Sequence, residues 1–271
     1  VKALSPNTVV FSDIGPHIRW VGNESGIAGT TNWNTLDTAG FTPGKGAPKQ
    51  DTLTTGNKYG KAWIPAECDV SIRPGWFYHE AEDNKVRTPE NLFDLWLKSV
   101  GRGANLLLNI PPDRRGKIHP NDSLALIEFR SLRDKNFSVN LAKQTTTQWY
   151  RGDFPSEAKQ LTDGNTETGI VIKNNLLQYP VFRFNNATKI NCVELMEEMS
   201  SGQTCSGFRV ILWKGNKVIK TITGSTIGRK RLLTFPAEEA DMIELHIEDS
   251  KGPVFLSEVG FYLIDEHHIG K

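Results

Sequence analysis

The sequence predicts two domains of different class. Residues 1–140 are predicted to form an α/β domain, the C-terminal part of a (β/α)8-like barrel, and residues 141–271 an antiparallel β-sandwich. In the first part, short apolar strands alternate with helical segments, and Gly- and Pro-rich loops follow the strands, which is the pattern of βα units. In the second part, alternating strands follow one another without helices. A complete barrel takes roughly 250 residues, so about half of one is present.

Three strands and two helices are predicted in the first domain. The strands are short and apolar and cover residues 9–12, 68–72 and 105–110. Before the third strand, Thr88 is the predicted N-cap of a helix and Pro89 its first residue. After the third strand, Asn121 or Asp122 is the predicted N-cap of another helix. This order of strand, long loop, helix and strand is typical of the closing units of a barrel.

The second domain shows a period of two, as expected for strands with one buried face. Phe208, Val210 and Leu212 share one face of such a strand, and the turn signal Lys214-Gly215-Asn216 follows it. The predicted strands are residues 181–184, 193–196, 208–212, 217–222, 231–235, 243–247 and 259–263. Consecutive strands of this kind predict an antiparallel sandwich.

Composition narrows the classes of partner. Lys plus Arg total 32 against 31 Asp plus Glu, so the net charge of +1 creates no field that would gather nucleic acid or an anionic membrane surface. No apolar run approaches the roughly 20 residues that span a bilayer. The three cysteines show no C-x-x-C spacing, so we expect no metal site and at most one bridge, between Cys192 and Cys205. A neutral partner fits this composition best.

Candidate functional residues lie in the loops that follow the predicted strands, because the active site of a barrel forms at the carboxyl ends of its strands. Arg19 and Glu24 follow the first strand, while Glu67 and Trp76 flank the second. Aromatic rings cover the apolar faces of sugars, and planar polar groups bind sugar hydroxyls. A carboxyl group near a tryptophan such as Trp20 can hold the proton that a glycosidase acid donates.

Three runs of residues make this assignment more specific. G-P-H-I-R-W-V-G-N-E-S-G at residues 15–26 resembles the acid/base loop of the α-L-fucosidases of glycoside hydrolase family 29, in the branch that cleaves α-1,3/1,4-linked fucose. E-C-D-V-S-I-R-P-G-W-F-Y-H at residues 67–79 and N-L-L-L-N-I-P-P-D-R-R-G at residues 105–116 are similar to later motifs of that family. The three runs are spread in order over the whole first half of the chain.

The resemblance implies a retaining mechanism without a cofactor, acting on a fucosylated oligosaccharide or glycan. Glu24 would protonate the departing oxygen and then activate water to release a covalent fucosyl-enzyme. Arg19 would hold a sugar or nucleophile oxygen, and Trp76 would pack against the fucose ring. Glu67 would bind a sugar hydroxyl. The resemblance also implies a secreted or periplasmic location.

The chain departs from the family pattern by omission. The family nucleophile is an Asp in a W-F-D-G-type strand end that precedes the acid/base loop, and this motif does not occur in the sequence. The paired histidines near the family's N-terminus are absent too. We therefore expect the N-terminal half of the barrel to be a partner, which a separate chain could supply. The 271-residue chain alone is predicted to have no hydrolytic activity.

The second half carries a weaker motif. L-T-D-G-N-T-E-T at residues 161–168 is similar to an early segment of discoidin-like, galactose-binding sandwiches, which implies a fold but no ligand. Whether such a sandwich binds a sugar, binds a calcium ion or caps the barrel stays open. Structural roles also stay open for three site residues: an ion pair for Arg19, a core position for Trp76 and a backbone contact for Glu67. The alternative function is a non-catalytic carbohydrate-binding fragment.

Overall fold

The computed structural model describes residue 1 and residues 3–150, 156–172 and 178–268. The chain divides into two compact units, Val1–Ile127 and Glu128–Lys271. The predicted domain boundary lies further along the chain, after residue 140. None of the helices in the described ranges is long and apolar enough to cross a membrane.

The first unit contains a parallel four-stranded sheet. Its strand order is β1-β2-β5-β6, and β3 and β4 form a separate antiparallel pair. Three helices accompany the strands, the last of which, α3, contains the division between the units. The bounds are β1 Phe11–Ser12, β2 Ile18–Trp20, β3 Thr35–Leu36, α1 Gln50–Thr55, β4 Ala62–Trp63, β5 Ala66–Ser71, α2 Pro89–Lys98, β6 Asn105–Asn109 and α3 Pro120–Asn136, with short 3-10 turns at Glu80–Glu82 and Val100–Arg102.

All three predicted strands of this unit are found, and the structure adds β2 between the first two. Residues 18–20 were expected to lie in a loop, because a three-residue strand centred on Arg19 carries no apolar run. The start of α2 is as predicted, since the Thr88 side chain accepts a hydrogen bond from the Asn91 N–H at 3.3 Å. The predicted N-cap of α3 is wrong: the helix already begins at Pro120, so Asn121 and Asp122 lie in its first turn.

The two faces of the parallel sheet differ in chemistry. Along β5, Ala66, Cys68 and Val70 are buried, and the first two join an apolar cluster with Val21, Ala28 and Ala104. Successive side chains of a strand point to opposite faces, so Glu67, Asp69 and Ser71 lie on the other face. The register places Trp20 beside Glu67, and Leu107, which is 46% exposed, beside Asp69. We call this second side of the sheet the open face.

Beyond the end of α3, the second unit consists of antiparallel β-strands and short 3-10 turns, and its antiparallel class is as predicted. Its strands are β7 Thr145–Trp149, β8 Ile170–Ile172, β9 Pro180–Glu197, β10 Cys205–Lys214, β11 Lys217–Gly224, β12 Arg231–Ser250 and β13 Val254–Tyr262, with 3-10 turns at Leu141–Gln144, Ser156–Thr162 and Glu266–His268. The order is β11-β10-β12-β9-β13-β8, and β7 also pairs with β9. One apolar cluster, which includes Phe182, Phe208 and Phe261, forms the core.

Two strands of this unit are longer than the sequence indicated. The predicted strands 181–184 and 193–196 both belong to β9, and 231–235 and 243–247 both belong to β12. The pairing between β9 and β12 shifts register between Thr234 and Glu238 and again between Ala240 and Met242. Such irregularities bend a strand without ending it. The first part of β9 pairs with β7 and its last part pairs with β13, so the partner on that side changes along the strand.

The three cysteines are free and buried. The bridge considered between Cys192 and Cys205 is therefore not formed. Burial raises the pKa of the Cys68 thiol to about 12, so this group stays protonated and behaves as a small apolar side chain.

Candidate active site

The candidate site lies where the parallel strands end. Glu24 follows β2, and Trp76 follows β5, the neighbouring strand in the sheet. The carboxyl ends of parallel strands meet at one edge of a sheet, so loops that are far apart in sequence can converge there. The Trp76 indole N–H donates a hydrogen bond to Oε2 of Glu24 at 3.0 Å. The structure thus brings together two of the four predicted site residues.

A second tryptophan connects the Glu24 loop to the sheet. The Trp20 indole N–H is shared between Oδ1 of Asp69, at 2.7 Å, and the carbonyl oxygen of Asn23, at 3.1 Å. Asn23 directly precedes Glu24, and its side chain donates to the Ile27 carbonyl at 3.2 Å. Indole has a single N–H donor, so both acceptors must lie close to the same hydrogen. The shared hydrogen bond therefore holds Asn23, at the start of the Glu24 loop, near Asp69 on the open face.

Two carboxyl groups lie on the open face near this loop. Burial, and then the nearby charge of Asp69, raises the pKa of Glu67 above its usual range. Burial also raises the pKa of Asp69, and the charge of Glu24 adds to that rise, whereas the Trp20 hydrogen bond opposes it. Glu67 is partly buried on the open face beside Trp20, and its predicted contact with a sugar hydroxyl stays a prediction.

Asp69 was not among the predicted site residues. Asp69 follows Glu67 by two positions and shares its face in β5, but the predicted strand begins at residue 68 and so leaves Glu67 out. In β5 the polar residues alternate with buried apolar residues, and the strand is predicted from the apolar residues alone.

The loop that carries Trp76 is held to β6 by polar contacts. The Asn109 side-chain amide donates to the Trp76 carbonyl at 2.9 Å and to the Ser71 hydroxyl oxygen at 3.1 Å. The Ser71 hydroxyl in turn donates to the Gly75 carbonyl at 2.7 Å. Both ends of the short segment between β5 and Trp76 are therefore tied to residues at the ends of the strands.

A buried arginine fixes the rest of this loop. Arg73 Nε donates to Asp122 Oδ2 at 3.0 Å, and both side chains are fully buried. Its Nη1 donates to Asp83 at 2.9 Å, and the guanidinium lies 4.9 Å from the centre of the Tyr78 ring. Tyr78 also donates to Asp83, at 3.3 Å. These contacts attach the loop to the first turn of α3.

Arg19 does not join Glu24 and Trp76. Its side chain is 0% exposed and donates to the carbonyl oxygens of Leu53, Ile64 and Trp33 and to the Asn32 side chain. The register pairs Arg19 with Ala66, which is buried, and Trp20 with Glu67. Because neighbouring residues of a strand point to opposite faces, Arg19 lies on the buried side of the sheet and Trp20 on the open face. Burial also lowers the Arg19 pKa to about 10. The guanidinium stabilises loops behind the sheet, and we leave Arg19 out of the site.

In the described ranges, no group of three or more His, Cys, Asp or Glu side chains is placed to hold a metal ion.

Comparisons with known proteins show to which family the chain is similar. The α-L-fucosidase family profile matches residues 42–131, a range that contains Glu67 and Trp76 and begins after Glu24. The α-L-fucosidase 1 of Arabidopsis thaliana is 32% identical over 271 residues, covering 97% of this chain and 53% of the relative. The chain spans about half the length of the curated relatives it matches.

Solved structures of fucosidases are also similar to this chain. A fucosidase homologue from Bacteroides thetaiotaomicron is 31% identical with a TM-score of 0.86, covering 98% of this chain and 60% of that chain. A variant of a Ruminococcus gnavus family 29 fucosidase, solved in complex with fucose, is 26% identical with a TM-score of 0.80, covering 97% of this chain and 54% of that chain. By family profile, sequence and fold, the chain belongs to the α-L-fucosidase family.

Proposed function

We propose that the complete protein hydrolyses α-L-fucosides with retention of configuration and that Glu24 is its acid/base residue. The observation that carries this proposal is the contact between Glu24 and Trp76 at the carboxyl ends of β2 and β5. Glu24 protonates the departing glycosidic oxygen while a carboxylate nucleophile attacks the anomeric carbon. The same Glu24 then removes a proton from water, which releases fucose and restores the nucleophile.

The nucleophile comes from residues outside this chain. A retaining glycosidase places its two carboxyl groups roughly 5 to 5.5 Å apart, and the nucleophile must be ionised. The two other carboxyl groups of the open face, Glu67 and Asp69, have raised pKa values, which opposes ionisation. Because the sequence lacks the W-F-D-G-type motif that carries the family nucleophile, we assign the nucleophile to that missing strand end and Glu67 and Asp69 to hydrogen bonding.

The substrate class follows from the resemblance and from the relatives. Residues 15–26 resemble the branch that cleaves α-1,3/1,4-linked fucose, and a related fucosidase binds fucose in its crystal. In this proposal the Trp76 ring covers the fucose ring and its methyl group, and Glu67 binds a hydroxyl. Fucosylated glycans in a secreted or periplasmic setting are the expected substrates.

The architecture proposed for the complete protein is a (β/α)8 barrel followed by a β-sandwich. In the described part of the sheet, β1 and β6 are the two edges, and each has one neighbouring strand. Unpaired strand edges and an open face with exposed Leu107 favour pairing with further strands. The N-terminal half of the barrel, on the same or a separate chain, would supply them together with the nucleophile.

Replacement of Glu24 by Gln in the complete protein tests this function. We expect kcat for an unactivated fucoside to fall by about 10²- to 10⁴-fold, the usual contribution of general acid–base catalysis. With an aryl fucoside, whose leaving group needs little protonation, added azide restores turnover and yields fucosyl azide. The control is Glu128→Gln on the exposed side of α3. Unchanged turnover in Glu24→Gln would reject the assignment.

A carbohydrate-binding fragment is the second candidate for the 271-residue chain itself, because this chain lacks the nucleophile motif. In that case the chain binds L-fucose and does not hydrolyse an aryl fucoside. Measurable hydrolysis by the purified chain would contradict this second function, and it would also contradict the assignment of the nucleophile to residues outside the chain.

A further inference from the structure

A cavity lined by both polar and apolar side chains lies in the unit Glu128–Lys271. Its volume is about 590 Å³, and its lining includes Asn140, Lys143, Glu194, Lys230, Glu258 and Tyr262. Ligand sites in proteins typically measure on the order of 300 to 1,000 Å³, so a small organic molecule fits. All lining residues belong to this one unit, which does not contain Glu24.

The floor of the cavity is one face of β9 and β13. On the other face, Leu195, Val259 and Phe261 belong to the apolar core. Because side chains alternate, Glu194 on β9 and Glu258 and Tyr262 on β13 point the opposite way. Both carboxylate side chains belong to residues that are only 5% exposed. Two buried carboxyl groups on the reverse side of an apolar core are costly unless each has partners.

Each buried carboxyl group has defined partners. Tyr262 donates to Glu194 Oε2 at 2.8 Å, and Lys230 forms an ion pair with Glu194 Oε1. The Gly164 N–H donates to Glu258 Oε2 at 3.1 Å, and the Asn140 amide approaches Oε1 at 3.5 Å. Burial raises the pKa of Glu258 to about 7, against the opposing effect of the Gly164 hydrogen bond. Near neutral pH this carboxyl group therefore both donates and accepts hydrogen bonds.

Charge balance identifies the chemical class of ligand. Lys230 is paired with Glu194, and Lys143 faces a Glu258 that is partly protonated near neutral pH, so the lining carries only a small positive excess of charge. The uncharged polar residues of the lining, such as Asn140, Gln144 and Thr166, carry amide and hydroxyl groups that donate and accept hydrogen bonds. An aromatic edge is present as well, since Phe137 and Tyr262 pack with ring centres 4.8 Å apart. Hydroxyl groups on a partly apolar ring match this combination.

We propose that this cavity binds a neutral saccharide at a site separate from the Glu24 site. The binding does not depend on fucoside hydrolysis, so it can be present in a chain that has no turnover. Its role would be to hold a glycan through a second sugar residue.

Methionine methyl NMR on the 271-residue chain tests the proposal directly. The chain has three methionines, of which Met196 lines the cavity and Met242 does not. The probes are D-galactose, L-fucose and N-acetyl-D-glucosamine, each at concentrations well above a Kd of about 1 mM. We expect at least one probe to shift the Met196 resonance saturably while the Met242 resonance stays in place. If none of the three sugars moves the Met196 signal, the proposal is wrong.

Variants locate the site and separate it from the proposed active site. Glu258→Gln and Lys143→Ala are expected to weaken binding at least tenfold, and Lys143 is exposed, so its variant will fold even if Glu258→Gln does not. The matched control Lys214→Ala removes an exposed ion pair with Glu239, outside the cavity lining. Trp76→Ala should leave the Met196 shift unchanged. Sugar binding that survives both cavity variants but disappears in Trp76→Ala would overturn the proposal and locate the ligand at the Glu24 site.

Discussion

The Trp76 indole N–H donates a hydrogen bond to the Glu24 carboxylate at 3.0 Å, across 52 residues of sequence. The contact joins the loop after β2 to the loop after β5. It is a partly exposed contact, so its geometry depends on the two loops being held in place from behind. Trp20 with Asp69 holds the first loop, and Arg73 with Asp122 and Asp83 holds the second.

Loss of the indole donor should weaken catalysis without loss of the ring. In the complete protein, Trp76→Phe keeps an aromatic surface for the sugar and removes the hydrogen bond to Glu24. A hydrogen bond to a charged group contributes about 1.5 to 3 kcal/mol, and exposure places this one at the low end. We expect kcat/KM to fall about tenfold in steady-state assays. Trp63→Phe, at an exposed tryptophan of β4, is the matched control.

Breaking the buried ion pair should destabilise the first unit. Asp122→Asn leaves the Arg73 guanidinium without its fully buried carboxylate partner. Removal of one member of a buried pair typically costs about 3 to 5 kcal/mol. We expect a loss of about 3 kcal/mol in the free energy of unfolding, measured by urea denaturation of the 271-residue chain.

The control for that experiment is an exposed pair of the same type. Arg130 and Asp134 form an i,i+4 contact with exposed side chains in α3. Asp134→Asn should leave the urea midpoint unchanged. Equal effects of the two substitutions would show that the Arg73 network does not stabilise the fold.

The sequence indicates where the candidate site lies better than it indicates which residues belong to the site. The proximity of Glu24 and Trp76 could be expected, because loops that follow neighbouring parallel strands converge at one edge of a sheet. Arg19 could not be placed, since its role depends on which face of a three-residue strand it occupies. That face is set by pairing with Ala66, which is not visible in the local pattern.

For the second unit, the sequence likewise predicts the class of the fold but not the lengths of its strands. Its antiparallel class follows from the period of two, but the lengths of β9 and β12 do not. Both strands contain positions where the alternation is interrupted, and the sequence alone suggests that a strand ends there. Only the pairing partners show that each chain segment continues through the irregularity.

The raised pKa of Glu258 predicts a pH-dependent stability. Folding moves this pKa from the usual 4.5 to about 7, so the folded protein binds the proton more tightly than the unfolded chain does. The free energy of unfolding should therefore fall as pH rises from about 4.5 to about 7, and change little from this cause outside that window. Unfolding measurements across the window on Glu258→Gln should show a smaller slope than those on the unchanged chain. An identical slope in the two proteins would show that Glu258 titrates normally.

Gly260 provides a test of the cavity floor in which no polar residue is replaced. A Cβ atom at this position would lie 2.6 Å from the Tyr262 ring, 2.8 Å from its hydroxyl oxygen and 3.0 Å from Glu194 Oε2. Gly260→Ala must therefore displace the tyrosine or the strand, and overpacking of this kind typically costs about 1 to 3 kcal/mol. Gly252→Ala is the control, because its added Cβ would have no atom within 4 Å. We expect Gly260→Ala to lower the unfolding midpoint and to weaken sugar binding at Met196, whereas Gly252→Ala changes neither. If Gly260→Ala retains both properties, Tyr262 is free to move, and the hydrogen bond to Glu194 is not needed to shape the cavity.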